Sequence, residues 1–260
     1  SRQLMDLEQE LGKTLFIRGN RRITLTEEGV LLRKRAGEIM DLVEKTTGEL
    51  TASDAAVTGD VYIGAGETEG VRFLTQRAKR LQERHPHICF HISSGDTADV
   101  TEQLDKGLID FGLLFDPVDQ TKYSSLQLPV CNTWGVLMRR DSPLAQKEAV
   151  TPGDLPDLPL IVPRRFRNGW FMDAWMGKGM DGLRISATYS LLFNASLMVR
   201  DGMGYAICLD GIVNTEGDAV LCFRPLSPAV HAHMSVAWKK FQVFSKASEK
   251  FLEELRKKEQ

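Results

Sequence analysis

From Val61 onward, short apolar runs alternate with helical patterns, and this alternation constrains the fold more than any other feature of the chain. VYIGAG reads as a strand, followed by a helix from about Val71 to Arg84 that His85-Pro86 ends. ICFHIS is a second strand, Thr97 to Lys106 a second helix stopped by Gly107, and IDFGLLF a third strand. Such alternation implies parallel strands joined by crossover helices, an α/β layer fold. A second set begins with WGVLMRR at 134–140 and PLIVP at 159–163, then a helix around Trp170 to Lys178 and RISATYS at 184–190. A helix over Ala195 to Arg200 and YAICL at 205–209 follow. HMSVAWK and an amphipathic helix from Lys246 to Lys257, with Phe251, Leu252 and Leu255 facing inward, close the chain.

The first part of the chain follows a different pattern. Leu4, Leu7 and Leu11 recur at helical spacing before Gly12, a C-terminal stop. The short strands TLFIR and RRITL flank Gly19-Asn20, a pair suited to a tight hairpin because both residues tolerate positive φ. Lys13, Arg18, Arg21 and Arg22 cluster around that hairpin. A helix followed by a basic hairpin is the outline of a winged DNA-binding element, with the helix in the major groove and the wing's cations on phosphates. Thr26 is a plausible N-cap, with Glu27 and Glu28 in the first turn of a long helix reaching about Ser53. Along it Leu32, Ala36, Ile39, Val43, Thr46 and Leu50 form a heptad seam, which calls for a partner, either a second copy or the chain's own domain.

The residues Leu4, Leu7, Glu8, Leu11, Gly12, Leu15, Phe16, Arg18, Arg21, Leu25, Thr26 and Gly29, at their spacings, resemble the LysR-type transcriptional regulators. The resemblance implies an α/β protein with a partial winged helix-turn-helix and a long linker helix. A two-lobed effector domain similar to periplasmic binding proteins follows. It places the end of the DNA-binding domain at 1–26, the linker, dimerisation helix and hinge at 27–57, and the effector domain at 58–260. Lobe I takes about 58–131 and 233–260 and lobe II about 132–232, with crossovers near 131–133 and 229–233. It also implies that the chain opens, at Ser1, inside the recognition helix, as an N-terminally truncated form that would bind DNA poorly. Ser1, Arg2 and Gln3 would face the groove, with Arg2 toward guanine or phosphate and Gln3 toward adenine. Arg18, Arg21 and Arg22 would grip the backbone. Leu4, Leu7, Leu11, Leu15 and Phe16 would form the core of the head. Expected partners are double-stranded DNA, a small-molecule effector of unknown identity, and a second copy through the linker helix, with a tetramer also possible.

Parallel α/β sheets bind ligands beyond the carboxyl ends of their strands. That rule selects Gly66, Glu67, Thr68 and Glu69, then Ser94, Gly95, Asp96 and Thr97, then Phe115, Asp116 and Pro117. In the second lobe it selects Arg164, Arg165 and Phe166, and Asn194 before a helix. Glu67, Asp96 and Asp116 could bind a ligand's hydroxyls or amine, or simply cap helices. Arg164 and Arg165 could take an acidic group, or lie solvated. Leu209-Asp210 stand where the family usually has proline, so no family contact is carried over there.

Net charge is −2 with 42% hydrophobic residues, so basic character is local and a substantial core is available. Cys89, Cys131, Cys208 and Cys222 are far apart and read as free thiols in a reducing compartment. No apolar run is long enough to span a membrane, which makes the cytoplasm the expected location. Gly64 to Gly70 only partly matches a dinucleotide fingerprint, and Glu67 and Glu69 oppose a pyrophosphate there. His231-x-His233 lacks a third metal ligand, and no catalytic set appears. No cofactor, metal or catalysis is therefore expected. A solute-binding protein without DNA binding is the rival reading, and it leaves the basic hairpin and the heptad seam unexplained.

Overall fold

The computed structural model describes all residues except 1, 19–22, 52–56, 165–170, 178–181, 218 and 258–260. It divides into two compact units, Ser1–Ser53 and Asp54–Gln260. The expected turn at Gly19-Asn20 and most of the expected hinge at 51–56 lie outside the described residues.

In the first unit, α1 (Arg2–Leu11) ends at Gly12, whose φ of +62° is left-handed. β1 (Phe16–Arg18) and β2 (Ile23–Leu25) pair antiparallel, Phe16 opposite Leu25 and Arg18 opposite Ile23. Glu8 explains its place in the sequence pattern: its Oε1 accepts from the backbone N–H of Leu15 at 2.7 Å and of Phe16 at 3.1 Å, tying α1 to the ribbon. Thr26 does act at the start of α2 (Glu27–Thr51), its Oγ1 accepting from Gly29 N at 3.0 Å and donating to the Thr14 carbonyl at 2.7 Å. The expected leucine core of the head needs correction. Only Leu15 is buried, at 2% exposure, while Leu4 and Leu11 are exposed and Leu7 and Phe16 half-buried. A ten-residue helix against three-residue strands encloses little more than the residue between them and the first turn of α2. Along α2 the seam residues Ile39, Val43 and Leu50 are exposed in the single chain, and Leu32 is half-buried.

In the second unit, β3 (Gly59–Ala65), β4 (Ile88–Ser94) and β5 (Phe111–Phe115) are parallel, with α3 (Gly70–Gln82) and α4 (Thr97–Lys106) as crossovers. Gly107 caps α4 at φ +71°. β6 (Tyr123–Arg139) then runs 17 residues without a break, where the sequence pattern showed only its second half. β7 (Leu160–Pro163), α5 (Phe171–Met176), β8 (Ile185–Tyr189), α6 (Leu192–Arg200) and β9 (Tyr205–Leu209) follow. β10 (Leu221–Pro225), which has no clear alternation, was not anticipated. β11 (His231–Lys239) and α7 (Lys246–Leu255) complete the chain.

The sheet is mixed, not wholly parallel. Its order is β4-β3-β5-β11-β6-β9-β7-β8, with β10 also on β6. β7, β8 and β9 are parallel, but β11 runs antiparallel to β5 and β6, and β6 antiparallel to β9 and β10. β6 joins the lobes: Tyr123 to Thr133 pair with β11 in lobe I, and Trp134 to Arg139 pair with β9 and β10 in lobe II. Its return partner starts at His231 opposite Thr133, and Trp134 N donates to the Val230 carbonyl at 2.9 Å. Each lobe has its own core. Phe111, Val236 and Phe251 lie at the centre of one, Val136, Leu160 and Ile207 at the centre of the other, and Phe115 packs against both.

Candidate functional site

Between the lobes lies a cavity of about 410 Å³, within the usual range of small-molecule sites. The carboxyl ends of β3, β4 and β5 contribute Glu67, Thr68, Asp96, Thr97, Phe115 and Asp116. Lobe II contributes Arg164 after β7, Tyr189 at the end of β8 and Ser190 after it. Trp134 on β6 and Met234 on β11, the two strands that pass between the lobes, also line it. Ten of the residues expected from strand ends thus line one space: Gly66, Glu67, Thr68, Gly95, Asp96, Thr97, Phe115, Asp116, Pro117 and Arg164. Arg165 and Phe166 lie outside the described residues. Asn194 does not join them. It is exposed inside α6, because the helix starts at Leu192, three residues earlier than expected, with Leu191 at the cap position.

The cap of α6 comes from lobe I. Glu67 Oε2 accepts from the backbone N–H of Leu192, and from that of Phe193 at 3.3 Å. Leu191 offers no side-chain cap, so a carboxylate from the opposite lobe satisfies the first turn of α6 and meets the positive end of its dipole.

Asp96 caps α4, one of the two roles weighed for it, and pairs with Arg164 of lobe II. Its Oδ1 accepts from Ala98 N at 2.9 Å and Asp99 N at 3.1 Å, and Asp99 Oδ2 accepts from Asp96 N at 3.0 Å, a complete capping box on α4. Its Oδ2 faces lobe II and accepts from Arg164 Nη2 at 2.7 Å and Nε at 3.2 Å. Arg164 Nη2 also reaches Asp99 Oδ2 at 3.2 Å. Burial pushes the Asp96 carboxyl up, but the hydrogen bonds from Arg164, Asp99 and Ala98, with the Arg164 charge, outweigh it and hold the group below its ordinary value of 3.8. A depressed folded value stabilises the fold above the unfolded pKa and loses that effect as pH falls through the folded one. The stability difference between wild type and Asp96→Asn, which keeps a capping side chain, should therefore shrink as pH drops below 3.8. Urea titrations at pH 6 and at successively lower pH values check this; a constant difference contradicts it.

A second network sits at the crossover. Thr68 Oγ1 donates to Asn132 Oδ1 at 2.7 Å, and Gly70 N donates to Thr68 Oγ1 at 3.2 Å. Asn132, buried at 4% exposure, donates through Nδ2 to Asp210 Oδ1 at 2.9 Å. Thr133 N donates to the same oxygen at 3.0 Å, and Asp210 N donates to the Thr133 carbonyl at 3.0 Å. Asp210 thus binds the crossover strand through a carboxylate and an N–H, neither of which a proline could supply. Asp116 accepts from Ser235 Oγ at 2.7 Å and Gln127 Nε2 at 3.2 Å.

In the first unit, Arg2 and Gln3 are exposed on α1. Arg18 ends β1, but its side chain, with Ser1, Arg21 and Arg22, lies outside the described residues. Tyr189 and Ser190, missed by the sequence reading, follow from the same strand-end rule once β8 ends at Tyr189, one residue earlier than expected. Trp134 and Met234 could not be found that way, because they sit on antiparallel strands that cross between lobes. Among the described residues no helix is long and apolar enough to cross a membrane.

Residues 54–260 match the family profile of the LysR substrate binding domain, and residues 1–30 match the bacterial regulatory helix-turn-helix protein, lysR family. An uncharacterized HTH-type transcriptional regulator of Bacillus subtilis, YvbU, is 26% identical over 258 residues, 97% of this chain and 86% of that protein. The transcriptional activator IlvY of Salmonella typhimurium is 31% identical over 117 residues, 45% of this chain and 40% of IlvY. Among solved structures, the LysR family regulator CbnR superposes with a TM-score of 0.71 at 16% identity, covering 98% of this chain and 87% of CbnR. A full-length OxyR variant of Pseudomonas aeruginosa superposes at 0.61 with 20% identity, covering 97% of this chain and 88% of OxyR.

Proposed function

This chain belongs to the LysR family of transcription regulators, and from that premise we propose that a small molecule in the cleft between its lobes sets the activity of its DNA-binding head. The cleft carries this reading: loops from both lobes converge on one cavity of about 410 Å³ that holds Glu67, Thr68, Asp96, Thr97, Phe115, Asp116 and Arg164. Occupancy changes how the lobes close, and closure biases the placement of the heads in an oligomer. The seam on α2 is the dimerisation surface, with a tetramer as a further assembly, and the protein acts in the cytoplasm. The reading includes no catalysis. A solute-binding protein without DNA binding would leave the match at residues 1–30 unexplained.

The effector carries hydrogen-bond donors, hydroxyl or amine, for Asp116 and neighbouring acceptors, and an anionic group that competes for Arg164. Because Arg164 is already shared by Asp96 and Asp99, binding of that anion redistributes the contacts between lobes. The first turn of α6 is not the anion's seat, since Glu67 fills it. A thermal-shift screen of metabolites tests this. Stabilisation by polar, donor-bearing anions supports the reading, and stabilisation by purely apolar compounds alone overturns it.

On DNA, Arg2 and Gln3 read base edges, and Arg18, Arg21 and Arg22 contact phosphates, with Ser1 beside the groove. In the intact protein, Arg21→Ala should weaken binding across all sequences and lower the slope of log K against log salt by about 1. Electrophoretic shift assays over a salt series measure both, and an unchanged slope removes Arg21 from that role.

A further inference from the structure

Away from the cleft, the parallel pairing of β3 with β4 brings three donor side chains of different kinds to one spot. Asp60 lies directly opposite Cys89, and Tyr62 opposite His91. Side chains two apart on a strand share a face, so Cys89 and His91 stand side by side and Asp60 faces the space between them. The sulfur, a ring nitrogen and a carboxylate oxygen all lie within 4.8 Å of one another. His91 is held in place: its ring stacks on Tyr62 with centroids 4.7 Å apart and planes 15° from parallel, and its Nε2 is 2.9 Å from Asp60 Oδ1. The three are solvent-accessible, with His91 and Asp60 side chains 46% and 42% exposed, and β4 is the outer strand of the sheet.

We propose that Asp60, Cys89 and His91 bind a divalent ion of the zinc type at the β3–β4 edge of lobe I, with water completing the coordination. Thiolate, imidazole and carboxylate together are a tetrahedral zinc donor set. They suit Zn²⁺ and Co²⁺ and disfavour Mg²⁺ and Ca²⁺, which need more oxygen ligands. Zinc–ligand bonds of about 2.0–2.3 Å put donors of a tetrahedron roughly 3.3–3.8 Å apart, so side-chain rotations alone close the site from the observed spread. The ion takes Nε2 of His91 in place of its hydrogen bond to Asp60, leaving the ring proton on Nδ1. Cys89 releases its thiol proton to solvent, so affinity rises with pH. Cys89-x-His91 alone is an ordinary strand sequence; the third ligand is far away along the chain, and only the strand register supplies it.

Calorimetric titration of the whole chain with Zn²⁺, and absorption spectra with Co²⁺, test the site. One ion per chain and a thiolate-to-cobalt charge-transfer band are expected. Affinity should fall at least about tenfold in Cys89→Ser and in His91→Gln, a loss of roughly 1.4 kcal/mol or more. Cys131→Ser, at the other exposed thiol, should bind as wild type does. Mg²⁺ at the same concentration should give no heat. Absence of zinc binding, absence of the thiolate band, wild-type affinity in Cys89→Ser or His91→Gln, or loss of binding in Cys131→Ser each overturns the proposal. All the substituted side chains are solvent-accessible, and unchanged thermal unfolding of the metal-free variants separates lost ligation from lost fold.

Discussion

Gly135→Val should destabilise the Asp54–Gln260 unit by about 3 kcal/mol, the largest effect expected of any single substitution considered. A Cβ at Gly135 would sit 2.2 Å from Phe223 Cζ and 2.4 Å from the carbonyl oxygen of Arg224. The ring can turn aside, but the carbonyl cannot. β10 is fixed on one side by its ladder with β6, in which Gly135 faces Pro225. On the other side, the Arg224 guanidinium donates to the Ala145 and Lys147 carbonyls at 2.6–3.2 Å, and Val150 N donates to the Pro225 carbonyl at 2.8 Å. Moving β10 would break one set or the other. Urea unfolding followed by tryptophan fluorescence measures the change, because Trp134 is the neighbouring residue. A loss below about 1 kcal/mol would show that the strands yield more easily than this geometry allows.

Gly29→Val should cost the intact protein most of its DNA affinity, at least about tenfold, while leaving the effector unit's unfolding unchanged. A Cβ at Gly29 would lie 2.1 Å from the Leu15 carbonyl oxygen, which also accepts from Thr26 N at 3.0 Å. Glycine is needed here for close approach: the first turn of α2 rests on the backbone between α1 and β1. Any side chain would push that turn off Leu15, the only buried side chain among the described head residues. Wild-type affinity in Gly29→Val would mean that the ribbon and α2 can separate without disturbing the DNA-contacting surface.

These two glycines also show what the sequence could and could not reveal. Gly29 was recognisable as part of a spacing pattern, but the reason for it, a carbonyl two ångströms from where its Cβ would be, depends on packing. Most strands and helices were legible because each is a local pattern closed by Gly or Pro, as at His85-Pro86 and Gly107. The strand-end rule then found ten cavity residues with no structural input. What escaped detection was mostly non-local. The first half of β6 alternates Leu126, Leu128 and Val130 with Gln127, Pro129 and Cys131, but Pro129 inside the run speaks against a strand, and the five residues of β10 show no alternation. The antiparallel course of β11 depends on the chain's return between lobes. Glu67 capping α6 across the cleft has no sequence signature, because donor and acceptor belong to different lobes. Asn194 was selected as a loop residue before a helix because the true start of α6, at Leu192, has no capping side chain of its own to mark it.

The place of Asp210 carries the same lesson. Substitution of the family's usual proline looked like a loss of restraint. In the fold it is an exchange of restraints, with two donors on one carboxylate oxygen and one N–H on the Thr133 carbonyl. The contacts tie lobe II to the crossover strand directly beside Thr68, so a ligand that moves Thr68 also acts on the joint between lobes.

The most direct test of the account is a calorimetric titration of the screen's strongest stabilising compound into wild type, Thr97→Val and Arg164→Ala. Binding in the cleft predicts one site per chain and affinity at least about tenfold weaker in Arg164→Ala, with a smaller loss in Thr97→Val. Equal affinity in all three proteins would place the ligand outside the cleft and contradict the account.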